Sequence, residues 1–207
     1  DHLAALPEAS SQLQGMQHVL LSHACTADVV LDLHCDAEAA LHMYALPQHW
    51  PQWRSLAAHL NVRVGLLAED SGGSSFDEAC SLPWLRLSRL FPDAQIPLAC
   101  LATTIELGGQ ADTGRAESEA HAEGILAFLA EQGLIGGEWP KPAQDPCEGM
   151  PFEGTELLLA PHPGVVSFLR RPGEWVEAGD EIFEVIDPLA DRVSTVCAGT
   201  SGVLFAI

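Results

Sequence analysis

Positive charge is what this 207-residue chain has least of. Lys and Arg total nine against 29 Asp and Glu, a formal charge of −20, and only one of the nine is a lysine, Lys141. A surface so short of cations cannot displace the counterions of a nucleic acid, nor adhere to an anionic membrane. A small anionic substrate is not excluded, because a local Arg or a metal can reverse the potential inside a pocket. No apolar run approaches the ~20 residues that span a bilayer. The first residues, Asp1-His-Leu-Ala-Ala-Leu-Pro-Glu8, have no basic start of a secretion signal. The six cysteines form no Cys-x-x-Cys pair, which excludes the common cysteine-based zinc spacings. They read as reduced thiols of a cytoplasmic protein, most of them small buried hydrophobes. There is no Gly-x-Ser-x-Gly elbow for a nucleophile and no glycine-rich phosphate loop with its Lys.

Apolar residues make up 47% of the chain and charged ones 18%, enough for a sizeable core. Residues 8–24 suit a helix, with Leu13, Met16, Leu20 and Leu21 at helical spacing. Strands are predicted at 28–33, at 41–46 (ended by Pro47), at 62–67 and at 98–107. Helices are predicted at 48–60 (Trp53, Leu56, Ala57 and Leu60 on one face), at 77–90 despite Pro83, and at 116–132. In the last of these, Ile125, Leu126, Phe128 and Leu129 should face inward. Residues 69–75 are a flexible loop by composition. This alternation predicts an α/β domain over 1–135, a mostly parallel or mixed sheet flanked by helices. Proline and glycine crowd residues 136–154, which read as a linker or wrapping loop. Over 155–207, short β-type runs at 156–160, 164–169, 181–186, 192–196 and 202–206 succeed one another with no helical pattern between them. They predict a small all-β module that ends without a closing strand.

Chemistry should collect at the carboxyl ends of the strands of such a sheet. Val29-Val-Leu-Asp-Leu-His34 places an imidazole there, flanked by Asp32 and Asp36. A histidine after an apolar strand is commonly a hydrogen-bonded structural residue, or it is a metal ligand. Asp32 and Asp36 bear on that choice, since a ligating imidazole often donates its other N–H to a carboxylate. Leu101-Ala-Thr-Thr-Ile-Glu-Leu-Gly-Gly109 delivers Glu106 in the same way. A lone carboxylate among apolar neighbours is either salt-bridged or held for proton transfer. Gly108 and Gly109 would let the backbone turn sharply at the site mouth. His42 and His49 could approach this edge, but their spacing matches no metal motif. His18, His23, His59 and His121 read as solvent-facing or capping residues. Asp77 and Glu78 suit a helix start, and Arg115 a surface ion pair or an anion contact. Cys35 should point away from its neighbour His34.

Asp32-Leu-His34, succeeded by Gly72-Gly-Ser-Ser-Phe-Asp-Glu-Ala79, Thr104-Ile-Glu-Leu-Gly108 and the Gly108-Gly-Gln110 turn, resembles the succinylglutamate desuccinylase/aspartoacylase family of zinc carboxypeptidase-like proteins. The likeness covers residues 1 to about 133 and runs on into the β module. It implies hydrolysis of an N-acyl amino acid or similar small amide, with Zn2+ held partly by His34, Glu106 as general base, and Asp32 or Asp36 orienting the imidazole. The family's His-x-x-Glu ligand motif and early substrate-binding Arg have no counterpart here and are expected in a stretch before Asp1. Alternatives from other classes are a non-catalytic binding or assembly protein that keeps the fold, and a peptide-cleaving carboxypeptidase. Homo-oligomerisation fits any of the three. Ala160-Pro-His-Pro-Gly-Val-Val166 and Glu174-Trp-Val-Glu-Ala-Gly-Asp-Glu-Ile182 look like the barrel-sandwich of biotinyl and lipoyl carriers. The hairpin region Ile186–Arg192 has no Lys to modify, so covering the site or mediating assembly is the role expected of the module.

Overall fold

The computed structural model describes residues 9–73 and 75–207. Asp1–Glu8 lie outside that range, as does the start of the helix expected from residue 8. Among the described residues the first domain runs α1 (Gln12–Ala24), β1 (Val29–Asp36), β2 (His42–Ala45), α2 (Trp50–His59), β3 (Val64–Leu67), α3 (Phe76–Leu90), β4 (Leu101–Gly109) and α4 (Arg115–Glu131). The 136–154 stretch is more than a connection. It supplies β5 (Gly149–Pro151), which pairs with β3 at the sheet edge. The sheet order is β1-β4-β2-β3-β5. β1 and β4 are parallel, as are β2 with β3 and β3 with β5, while β2 and β4 are antiparallel. The sheet is therefore mixed. Among the described residues no helix is long and apolar enough to cross a membrane.

Strand alternation sorts the side chains onto two faces. Met43 and Ile105 point to one face, where Trp53 and Leu56 of α2 and Phe128 of α4 close the main core. Leu126, expected inward, sits outward at 37% exposure, and Ala127 takes the buried position one residue on. His59 departs from its expected solvent-facing or capping role: its side chain is only 5% exposed and its Nε2 lies 2.9 Å from Glu131 Oε1, joining α2 to α4. On the other face Val30 and Ala102 meet Ala24 of α1 and Cys80 and Trp84 of α3. Ala24 is the buried residue of α1; Leu13, Met16 and Leu20 are exposed despite their helical spacing. Pro83 lies inside α3 without ending it. Of the cysteines only Cys80 and Cys100 are buried, whereas Cys25, Cys35 and Cys197 are exposed, so burial is not the common role of these thiols.

The second unit is antiparallel throughout. β6 (Val165–Phe168), β8 (Glu181–Asp187) and β9 (Arg192–Cys197) form one sheet, and β7 (Trp175–Val176) pairs with β10 (Gly202–Val203). Val176, Ile182, Phe183, Val185 and Ala198 make its small core. The run at 156–160 forms no strand: Leu157 and Leu159 are exposed, and the Glu156 carboxylate instead accepts from Gly199 N and Thr200 N. Beyond β10 the chain crosses to the first domain. Ala206 bridges to Ala39, Ala40 N donates to Phe205 O at 2.8 Å, and Ile207 N to Glu38 O at 2.9 Å.

Candidate active site

Register assembles the site. His34 lies opposite Glu106 on the parallel β1–β4 ladder, and His42 lies opposite Glu106 on the antiparallel β4–β2 ladder. Three strands thus place imidazole, carboxylate and imidazole in one row on one face. A residue pair deeper, Asp32, Thr104 and Tyr44 form the next polar row by the same pairings. Past His34 the register slips, so that Asp36 pairs with Gly109, and this bulge ends regular alternation at the sheet edge. Gly108 there has φ of +97°, a conformation costly for any residue with a Cβ, and Gly109 N donates to Asp112 Oδ2 at 2.8 Å. The glycine pair makes the turn expected of it.

Asp32 is the carboxylate that meets the imidazole: His34 Nε2 is 3.1 Å from Asp32 Oδ2, with the His34 side chain half exposed. This fixes the ring, and Nδ1 has no hydrogen bond among the described residues. Asp36 instead accepts from Ala37 N at 2.6 Å. Cys35 is exposed beside them and makes no pair with His34. Glu106 Oε2 is buried with no hydrogen-bond partner. Burial pushes the Glu106 carboxyl above its ordinary value; His42 and His34 pull it back, and Asp36 and Asp32 push with the burial. Among the described residues this carboxylate anchors no salt bridge, and its neutral form is favoured by burial.

Two neighbours complete these rows: His42, which was expected to approach this edge, and Tyr44, which the sequence pattern did not single out. His42 is fully buried, with Nδ1 2.8 Å from Ala40 O and Nε2 3.3 Å from Tyr44 Oη. Burial raises the Tyr44 phenol, with Glu106 and Asp36 adding to the shift. The signal that would have found both was the alternation of His42 and Tyr44 along one short strand, once its pairing with β4 was known. His49 is buried away from this row, with both ring nitrogens unpartnered, and burial lowers its pKa. Arg115 pairs with Glu119 at 2.8 Å on an exposed helix face, the surface role expected of it. Asp77 and Glu78 open α3 as expected; burial raises the Asp77 carboxyl, while the Ser75 hydroxyl works against that rise.

The residues of this row do not make up a zinc site by themselves. Among the described residues no group of three His, Cys, Asp or Glu side chains is gathered to hold a metal ion. Catalytic zinc uses three protein ligands, so His34 and its neighbours do not by themselves fit one. Beside the row opens a cleft of about 880 Å3, bounded by Asp36 and Tyr44 on one side and by the β module on the other.

A mixed α/β sheet with a carboxylate–imidazole row at one edge, faced by an antiparallel module across a cleft, is the class that this fold and site define. Solved structures that share the fold include proteins described as members of the succinylglutamate desuccinylase/aspartoacylase family, so the resemblance carried by the sequence motifs holds for the fold. A family protein from Shewanella amazonensis superposes with a TM-score of 0.81 at 25% identity, over 98% of this chain and 56% of that one. The ectoine utilization protein EutE of Ruegeria pomeroyi matches at 0.71 and 15% identity, over 97% and 61%. A succinylglutamate desuccinylase from a Silicibacter species matches at 0.68 and 21%, over 97% and 59%. The chain thus spans less than two thirds of each of these proteins. No protein-family model and no curated protein matches the sequence.

Proposed function

We propose that this protein is a deacylase that hydrolyses the amide bond of an N-acyl amino acid or a similar small amide, with Glu106 as general base. The observation that carries the reading is the buried Glu106 oxygen with no partner, between two imidazoles and beside an open cleft. Water attacks the carbonyl carbon as Glu106 takes its proton. The C–N bond then breaks, and the proton passes to the departing amine. The products are a carboxylate and a free amine. Asp32 holds the His34 ring, and Asp36 shapes the field at the cleft mouth. Zinc enters this reading through His34, whose free nitrogen would supply one ligand to an ion able to polarise the carbonyl. The described residues supply one such nitrogen and no set of three ligands.

The same shortage favours a second reading, a non-catalytic binding or assembly protein that keeps the fold. The protein as its gene encodes it should be assayed for amine release from N-acyl amino acids, with short peptides in the panel, and for bound metal. Turnover of an acyl amino acid, reduced roughly 10²–10⁴-fold in Glu106→Gln with an unchanged circular dichroism spectrum, supports the deacylase. An intact fold with no turnover and no metal leaves the second reading.

A further inference from the structure

We infer that the cleft beside Glu106 is the pocket for the substrate's acyl group, and that it selects an uncharged apolar chain over one ending in a carboxylate. The inference rests on the deacylase reading and names the substrate class within it. The cleft starts at the reacting edge, since Tyr44, whose hydroxyl is 3.3 Å from His42, forms part of its wall. Its aromatic walls continue from there. Phe205 packs on His42 with ring centroids 5.1 Å apart, and Phe152 meets Tyr44 edge-on at 6.0 Å. On the far side the module presents Phe168 and Trp175, which remain 47% and 62% exposed. Large apolar side chains left open to a concave space beside a reactive carboxylate are the material of a small-molecule pocket, and about 880 Å3 accommodates a medium-length chain.

Charge argues in the same direction. Four charged residues line the cleft: Asp36, Glu148 and Glu156 are acidic, and Arg63 is the cation. Arg63 Nη2 already donates to Gly173 O at 3.3 Å. Glu148 is 3.3 Å from Arg54, and Glu156 is bound by the backbone amides at 199 and 200, so neither acid is matched to a ligand cation within the cleft. An entering carboxylate would meet three acids against one arginine, an acidic balance, in a protein whose formal charge is −20. An alkyl chain meets rings and aliphatic carbons. Each methylene it buries should strengthen binding about fourfold.

The test separates binding from turnover. Calorimetry on the protein with Glu106→Gln should show hexanamide binding at least tenfold tighter than acetamide, and succinamate binding more weakly than hexanamide. Phe168→Asp should abolish the preference for hexanamide; Trp175→Ala, which adds no charge, should reduce it several-fold, each with an unchanged circular dichroism spectrum. In the parent protein, kcat/KM should favour an N-hexanoyl over an N-succinyl derivative of the same amino acid. Succinamate binding as tightly as hexanamide, or a hexanamide preference indifferent to both cleft variants, overturns the pocket assignment. Hexanamide binding with no amide turned over leaves the pocket standing and removes the deacylase reading instead.

Discussion

Glu106 has a cost that its isolation makes measurable. Its carboxyl is held above the ordinary 4.5 because burial disfavours the charged form. The folded state therefore binds that proton more tightly than the unfolded chain does. The resulting stabilisation is fully present below pH 4.5 and is lost as pH rises through the folded value, so the ionised carboxylate weakens the fold near neutrality. Glu106→Gln should melt roughly 2–4 °C higher than the parent at pH 7, with the gain shrinking toward zero in acid. Scanning calorimetry at pH 4 and pH 7 checks this; an equal gain at both would assign it to something other than ionisation. The prominence of Glu106 was legible in the sequence, because a single acid amid Thr104-Ile105 and Leu107-Gly108 has no local partner. His34 was legible from the opposite circumstance, its place between Asp32 and Asp36 at the end of an apolar strand. His42 was expected near this edge, but its register with Glu106, and the place of Tyr44, were not legible, since they depend on β2 pairing antiparallel to β4, and register between distant strands leaves no mark in either strand alone.

Among the elements, the two glycines inside helices answer to different surroundings. Gly15 lies in α1, where an added Cβ would meet only the Ala9 side chain at an ordinary 3.6 Å. Gly124 lies in α4 against the end of α2, where a Cβ would come within 3.0 Å of the His59 carbonyl oxygen and 2.9 Å of Leu60 Cδ2. Alanine gains about 0.5–1 kcal/mol over glycine in a helix interior. Gly15→Ala should realise that gain. In Gly124→Ala the clash with a backbone oxygen outweighs it, and a net loss of about 1–2 kcal/mol is expected as α4 is pushed from α2. Urea denaturation of the two variants should therefore shift in opposite directions. All four α-helices among the described residues were placed in the sequence, three of them from apolar spacing, but which residues faced the core was less legible. The spacing of Leu13, Met16 and Leu20 matches that of a buried stripe, yet all three are exposed, because spacing reports a shared face and not what covers it.

At the scale of the whole molecule, the informative contact joins residues far apart in sequence. The run 202–206 reads locally as one more β segment. Its first three residues bond within the module, Gly202 and Val203 to β7 and Leu204 through backbone bonds with Gly173 and Glu174, whereas residues 205 and 206 lie across the β1–β2 connection, with Phe205 against His42. A pairing between positions 39 and 206 has no local pattern to announce it, so a module covering the site could be expected from the sequence while the residues that join it to the sheet could not. This docking closes one wall of the cleft, so it should join the stability of the module to binding at the site. Phe205→Ala removes a half-buried ring and keeps the backbone bonds at Ala40 and Ile207. The loss should be roughly 1–2 kcal/mol, below the 3–5 of a fully buried phenylalanine. It falls on the contact between the units, leaving both cores intact. A single calorimetric transition should therefore broaden or divide, with the α/β domain keeping its midpoint. In the deacylase assay the same variant should raise KM for an apolar acyl substrate more than it lowers kcat, because it opens the wall of the cleft without touching Glu106. A lowered midpoint for one undivided transition would show instead that the two units fold as one cooperative body, with Phe205 part of their common core.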